Sequence, residues 1–281
     1  MDQITVKAPA KLNLFLEVGE RMADGYHKIE SIMQSVTLYD TLIIKKADDI
    51  TLSCSNKKLE YEGNLALSAA KLFFEESGIK CGASVYMEKK IPVSAGLGGG
   101  SSDAAATLKA LNVIYGKPFS DEKLLEMGKK LGADVPFCIK RGLCRAYGIG
   151  EVLQPLKPLP ECIFVIAKGN MSVSTKEAFA SLDKQGKREI KNSDNMAEMI
   201  DKSDMAGICG SLYNVFEING CCDNKIKQIM KDNNAYNALM SGSGPSVFGI
   251  FGSLKDAENT EATLKAKGYE SFVCRPENAP I

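Results

Sequence analysis

The chain lacks any excess of charge. Lys+Arg and Asp+Glu both number 35, so the formal net charge is zero. That excludes the strongly basic face with which a duplex nucleic-acid binder meets its partner. A polyanionic ligand must then be held by local donors rather than by a general positive field. There is one histidine, His27, which leaves no second imidazole for a metal site built on it. The nine cysteines are an odd number with no C-x-x-C spacing, and Cys221 and Cys222 are adjacent. This is no framework for disulfides or zinc; free, mostly buried thiols in a reducing compartment are expected. No apolar run reaches about eighteen residues, the length of a membrane span, and Met1-Asp2-Gln3-Ile4-Thr5 shows no signal-peptide pattern. The expectation is a soluble, cytoplasmic protein with neither membrane nor nucleic acid as partner. Two familiar phosphate loops are also missing. No Gly-Lys-Ser/Thr closes a Walker A motif, and no acid-bearing strand follows the glycine-rich helix as in a dinucleotide fold.

What is present centres on Ile91-Pro92-Val93-Ser94-Ala95-Gly96-Leu97-Gly98-Gly99-Gly100-Ser101-Ser102-Asp103-Ala104-Ala105-Ala106. Glycine tolerates positive φ and bares its backbone amide. Ser101 and Ser102 read as a helix N-cap, and the alanines after them are strong helix formers. Unpaired N–H groups and the positive end of a helix dipole converge there, which suits phosphate.

At 281 residues the chain suits one large or two ordinary domains. Residues 4–8 read as a strand that Pro9 breaks. Residues 11–18 alternate, with Leu12, Leu14, Leu16 and Val18 on one face and Lys11, Asn13, Phe15 and Glu17 on the other. Lys11 is there either a solvated strand-end lysine or a working group. Two strands follow, 29–38 and 41–46, joined at Tyr39-Asp40, with a third at 50–54. Asn64 opens a helix to Ser77, and a strand over 83–89 delivers Lys89-Lys90 to the mouth of the glycine loop. Ser120 caps a helix that Gly132 ends. Asp134 then sits between a helix stop and Pro136, as a cap or as a working carboxylate. Residues 141–150 read as a glycine-rich turn region. Pro155, Pro158 and Pro160 mark the best boundary, giving domains 1–156 and 157–281. The second half reads β-α(α)-ββ-α-β, a ferredoxin-like pattern. Its strands lie at 162–167, 237–240, 247–251 and 269–274. Its helices lie within 172–182, at 195–200, 212–218, 223–233 and 255–267.

Three blocks in order carry a resemblance: Lys7-Ala8-Pro9-Ala10-Lys11-Leu12-Asn13-Leu14, the glycine block, and Leu239-Met240-Ser241-Gly242-Ser243-Gly244-Pro245-Ser246-Val247-Phe248. The chain resembles the GHMP small-molecule kinase superfamily over nearly its whole length. Asp24-Gly25-Tyr26-His27, Gly132-Ala133-Asp134-Val135-Pro136-Phe137 and residues 172–179 are similar to one subgroup. That subgroup phosphorylates the 2-hydroxyl of a cytidine-diphosphate derivative of a methylated four-carbon polyol, on the non-mevalonate route to isoprenoids.

The resemblance implies an α+β, two-domain GHMP kinase fold, with an N-terminal ribosomal-protein-S5-like α/β domain and a C-terminal ferredoxin-like domain. It implies ATP and Mg2+ as cofactors, with metal ligands unknown, and a monomer or homodimer. ATP phosphates are expected on Pro92, Val93, Ser94, Ala95, Gly96, Leu97, Gly98, Gly99, Gly100, Ser101 and Ser102, with Asn64 and Lys89 near the adenosine. Tyr26 and Phe179 are expected to sandwich the cytosine, His27 to hydrogen-bond it, and Asn13 and Thr175 to help hold the substrate between the domains. Lys11 and Asp134 match the catalytic pair. Asp103 stands where some relatives have asparagine, residues 167–170 replace a Pro-Gly segment, and Asn214-Val215-Phe216-Glu217 replaces Asn-Asp-Leu-Glu. The alternatives are another GHMP kinase, of homoserine or mevalonate type, or a nucleotide-binding sensor that kept the fold and lost the chemistry; a related decarboxylase is a third. Gly25-Tyr26-His27 speaks against the first, and the presence of Lys11 and Asp134 against the second.

Overall fold

A computed structural model of the chain describes residues 1–23, 25–169, 174–185, 188–220 and 222–278. Asp24, Asn170, Cys221 and residues 171–173 fall outside the described residues, and with them parts of the subgroup motifs named above. The elements in chain order are β1 Gln3–Arg21, β2 His27–Ala47, β3 Thr51–Cys54, α1 Leu65–Ser77, β4 Gly82–Glu88, α2 Gly99–Ile114, α3 Asp121–Leu131, α4 Val135–Lys140, β5 Leu143–Tyr147 and β6 Val152–Pro155. They continue with β7 Ile163–Lys168, α5 Thr175–Lys184, α6 Asp194–Asp201, α7 Met205–Gly210, β8 Tyr213–Asn214, α8 Asn224–Asp232, β9 Asn237–Met240, β10 Ser246–Phe251, α9 Leu254–Ala266 and β11 Glu270–Cys274.

The chain forms two compact units. The first comprises Met1–Ala10, Leu38–Val93 and Gly98–Lys140; the second comprises Lys11–Thr37, Ser94–Leu97 and Arg141–Ile281. In the first, β2 pairs antiparallel with β4, from Thr41↔Glu88 to Ala47↔Gly82, and β3 lies parallel to β4. Asn64 caps α1, its Oδ1 accepting the Ala66 amide at 2.8 Å. The aromatic ring of Phe73 from α1 meets Phe119 edge-on, with centroids 5.3 Å apart. Ser120 caps α3. Asp121 and Glu122 lie in its first turn and Lys129 and Lys130 in its last, both complementing the dipole.

In the second unit, β7, β9, β10 and β11 form an antiparallel sheet in the order β11-β7-β10-β9. This is the ferredoxin-like arrangement. Its strand β7 is a continuous apolar run because both faces are covered. Ile163, Val165 and Ala167 join Ile226, Met230, Ala257 and Leu264 in one cluster, while the Phe164 ring packs on Phe248 at 5.9 Å. Elsewhere in this unit β2 pairs with β5, β5 with β6, and β1 runs parallel to β8.

Several local expectations are corrected. Pro9 does not break the first strand: proline's φ lies within the extended region, so it removes one donor without turning the chain. Tyr39-Asp40 is not a turn but the interior of the unbroken strand β2. Residues 141–150 contain β5, which pairs with β6. The helix expected over 212–218 is a two-residue strand and a 3-10 turn, Val215–Asn219, capped by Asn214. Helices α4 and α7, of six residues each, are present where the sequence pattern predicts none. No disulfide joins the described cysteines, which are buried, Cys81 apart. Burial pushes the Cys162 and Cys222 thiols up to about 12.

Candidate active site

The glycine-rich segment begins in the first unit, passes through Ser94–Leu97 of the second and returns to the first at Gly98. Helix α2 starts earlier than the serines predict. Its N-cap is Gly98, left-handed at φ +67°, with no side-chain cap. Ser101 and Ser102 therefore lie inside its first turn, and the buried Ser102 hydroxyl bonds no described residue.

The carbonyls of the segment are taken. Ala95 O accepts from the Ser246 amide at 3.3 Å and Leu97 O from the Lys11 amide at 2.9 Å. Gly96 O accepts from the Ser241 hydroxyl at 3.0 Å. Gly96 has φ +74°, and a Cβ there would lie 2.2 Å from the Ser241 carbonyl oxygen, so only glycine fits. The amides differ. From Ala95 through Ser101, none donates to an acceptor among the described residues. A run of unengaged N–H groups that ends on a helix N-terminus is an anion-binding element.

In the first unit, the Lys89 ammonium lies between the Asp40 and Asp103 carboxylates, 2.5 Å from Asp103 Oδ2, with all three side chains buried. Asp40 Oδ1 also accepts the Lys90 and Ile91 amides at 2.6 and 2.9 Å, which fixes the entry to the loop. Burial pushes the Asp103 carboxyl up to about 7, against the opposing pull of Lys89. Burial works against the charge on Lys89, but the two carboxylates outweigh it and raise its pKa. Lys89, expected near adenosine, is thus engaged within the protein. So is Asn64, whose Nδ2 donates to Leu59 O at 2.9 Å while its Oδ1 caps α1. Asp134 immediately precedes α4, and its carbonyl accepts the Cys138 amide at 3.1 Å.

In the second unit, alternation along β1 puts Lys11 and Asn13 on one face. Lys11 Nζ donates to Asn13 Oδ1 at 2.6 Å, Asn13 Nδ2 to Ser31 Oγ at 2.9 Å, and Ser31 Oγ to Phe15 O at 2.7 Å. This buried chain sets the lysine's direction. Thr175 Oγ1 lies 3.0 Å from Ser243 Oγ. Tyr26 is 58% exposed. The His27 and Phe179 rings sit 5.1 Å apart, tilted by 36°. His27 also lines a cavity of about 560 Å³, shared with Arg21, Leu182, Asp183 and Arg188. Lys11 and Asp134 belong to different units.

Asp40, Ser31, Asp183 and the Ser241–Ser246 stretch carry no local sequence signal of their tasks, because each takes its role from partners far along the chain. Among the described residues no cluster of three or more His, Cys, Asp or Glu side chains could hold a metal, and no helix is long and apolar enough to cross a membrane.

Comparison with known proteins agrees with this arrangement. The GHMP kinases N-terminal domain model matches residues 64–142, and the GHMP kinases C-terminal model matches 224–270. The chain is 42% identical over 271 residues to the 4-diphosphocytidyl-2-C-methyl-D-erythritol kinase of Caldicellulosiruptor bescii, covering 92% of this chain and 95% of that one. It is 42% identical over 284 residues to the enzyme of that name from Lachnoclostridium phytofermentans, covering 98% of each. A solved 4-(cytidine 5'-diphospho)-2C-methyl-D-erythritol kinase superposes with a TM-score of 0.78 at 29% identity, covering 98% of this chain and all (100%) of the other. A homoserine kinase from Cytophaga hutchinsonii shares the fold, with a TM-score of 0.77 at 20% identity, covering 99% of this chain and 96% of the other.

Proposed function

The chain belongs to the GHMP kinases, within the family of 4-diphosphocytidyl-2-C-methyl-D-erythritol kinases, and from that premise we propose its reaction and its working residues. It transfers the γ-phosphoryl group of ATP to the 2-hydroxyl of 4-diphosphocytidyl-2-C-methyl-D-erythritol. The observation that carries this reading is the open run of amides from Ala95 through Ser101, on a segment whose carbonyls are already tied down.

Phosphoryl transfer asks mainly for positioning and charge stabilisation. The amides hold the β- and γ-phosphates, with Pro92, Val93 and Ser94 leading into them and Ser102 closing the turn. Asn64 and Lys89 shape the adenosine end. Asp134 accepts the proton of the attacking hydroxyl as the new O–P bond forms and ADP leaves. Lys11 supports the charge spreading over the transferred group. Tyr26 and Phe179 stack the base, His27 bonds its edge, and Asn13 and Thr175 hold the polyol. Mg2+, when bound, would supply further charge neutralisation on the phosphates. This ion takes few protein ligands beside phosphate oxygens, and the buried Ser102 hydroxyl, which bonds no described residue, would help to hold it.

The test is ADP release in a coupled assay with the cytidylyl substrate, set beside homoserine and mevalonate. Turnover confined to the cytidylyl substrate supports the assignment; equal or faster turnover of either comparator overturns it. A positioned base contributes about 10²–10⁴-fold. Asp134→Asn should therefore lose turnover by at least about a hundredfold while its ATP affinity, read by calorimetry, stays at the parental value.

A further inference from the structure

Helix α5 carries Phe179 and Asp183 four residues apart, and so on one face. Both meet His27, at the first position of β2. The Phe179 ring lies on the imidazole and is backed by Phe216, whose ring centroid is 5.0 Å away. The Asp183 Oδ1 atom lies 2.7 Å from His27 Nε2. The His27 side chain is 9% exposed and that of Asp183 39%, so the ring is clamped on its face and at one nitrogen.

The neighbouring charges do not compete for Asp183. Arg188 is held by Glu17 at 2.6 Å and by the Val18 carbonyl. Arg21 donates through Nε to Gly25 O at 3.3 Å. Among the described residues the partner of the Asp183 side chain is His27, and His27 Nδ1 has none.

A carboxylate accepts hydrogen bonds and donates none, so Nε2 must carry the hydrogen. In the neutral ring the lone pair then sits on Nδ1, which bonds no described residue and is left as an acceptor. We propose that Asp183, a positioning residue acting through His27, makes the base site selective for an exocyclic amine. Nδ1 takes the amino group of cytosine and refuses the carbonyl that uracil presents at the same place. Cytosine offers a donor there, N4–H, where thymine, and with it uracil, offers the acceptor O4. This rests on the cytidylyl reading above and adds to it the residue that enforces the choice of base.

The experiment uses the full chain and two substrates, the cytidine-diphosphate compound and its uridine counterpart, at saturating ATP. One hydrogen bond gained or lost is worth about tenfold. Asp183→Ala is expected to raise KM for the cytidine compound about tenfold or more and to cut the cytidine-over-uridine preference by a similar factor. Its kcat and its KM for ATP stay at parental values, which a general loosening of the fold would not leave alone. Asp183→Asn keeps an acceptor oxygen in place and should retain most of the preference.

His27 is the only histidine in the chain, so nitrogen NMR of the labelled parent protein reads its tautomer without assignment, even if a variant fails to fold. The Nε2–H form supports the proposal; an Nδ1–H ring overturns it, as does an unchanged preference in Asp183→Ala. A parent enzyme that prefers cytidine while the variant is unaltered sinks only the role of Asp183. A parent with no cytidine preference sinks the cytidylyl reading with it.

Discussion

Two glycine-rich turns occupy this chain, and they use their backbone in opposite ways. The stretch around Gly96 has its carbonyls bound by Ser246, Ser241 and Lys11, while its amides from Ala95 through Ser101 donate to nothing described. The stretch Ser241–Ser246 is largely closed on itself. The Ser241 amide donates to Ser246 O at 2.9 Å, and the Gly244 amide to Ser241 O at 3.0 Å. Asn214 Nδ2 binds the carbonyls of Met240 and Gly242 at 2.7 and 2.8 Å. Only the Gly242 and Ser243 amides, next to Thr175, lack a described acceptor. On the proposed reading one turn is the ligand cradle and the other its support. Glycine content cannot tell them apart; the destination of each N–H does.

The largest effect comes from breaking the contact that joins the turns. In Gly96→Ala the new Cβ meets the Ser241 carbonyl 2.2 Å away, on a backbone held at φ +74°. Overpacking against rigid backbone costs about 1–3 kcal/mol or more, and the cradle amides lose their alignment. A loss in kcat/KM for ATP of about a hundredfold is expected, since a displacement near 1 Å costs about that much. A drop in melting temperature should accompany it. Gly78→Ala is the control: it shares a positive φ, +65°, but has open space around it. It should cost about 1 kcal/mol of stability and leave ATP kinetics alone.

A smaller effect is expected from the supporting turn itself. Asn214→Ala removes the donor to two buried carbonyls and the cap of the following 3-10 turn. Buried acceptors left unbonded cost about 1–3 kcal/mol. Denaturant unfolding should register that loss, while KM for ATP shifts less than in Gly96→Ala. If Asn214→Ala disabled ATP binding and left stability intact, the division of labour between the two turns would be wrong.

How much of this could be read from the residues follows the same line. The helix after the cradle, the Ser120 cap and the four-stranded sheet of the second half come from local pattern, and all are found in the fold. The helix starts before the serines because Gly98 takes the positive φ of its N-cap, which outranks serine's preference for caps. Local pattern at Asp40 suggests a turn residue, whereas it lies inside β2. Its task, accepting from Lys89 and from the Lys90 and Ile91 amides, depends on a strand pairing formed some fifty positions on, where |i−j| is 49 to 51. The ring of His27 was legible as a candidate, but its orientation was not, because Asp183 lies 156 positions away.

The smallest effect at neutral pH concerns what holds the start of α2. Asp40 has both carboxylate oxygens engaged, by Lys89 and by two amides. Asp103 Oδ2 meets Lys89, but Oδ1 is buried without a partner, so the extra proton sits most cheaply on Asp103. Its carboxyl is raised from 3.8 to about 7. Between those values the folded protein keeps a proton that the unfolded chain has released. Stability from this group is therefore full below about pH 3.8 and is lost as pH rises through about 7. The slope is bounded at about 1.4 kcal/mol per pH unit. Asp103→Asn removes the titrating proton while keeping a polar partner for Lys89. Subtracting its unfolding free energy from the parent's at each pH cancels the other carboxylates, and the difference should fall steadily between about pH 4 and pH 7 and then flatten. A flat difference across that window would mean that Asp103 is ionised throughout and that Lys89 alone balances two buried carboxylates.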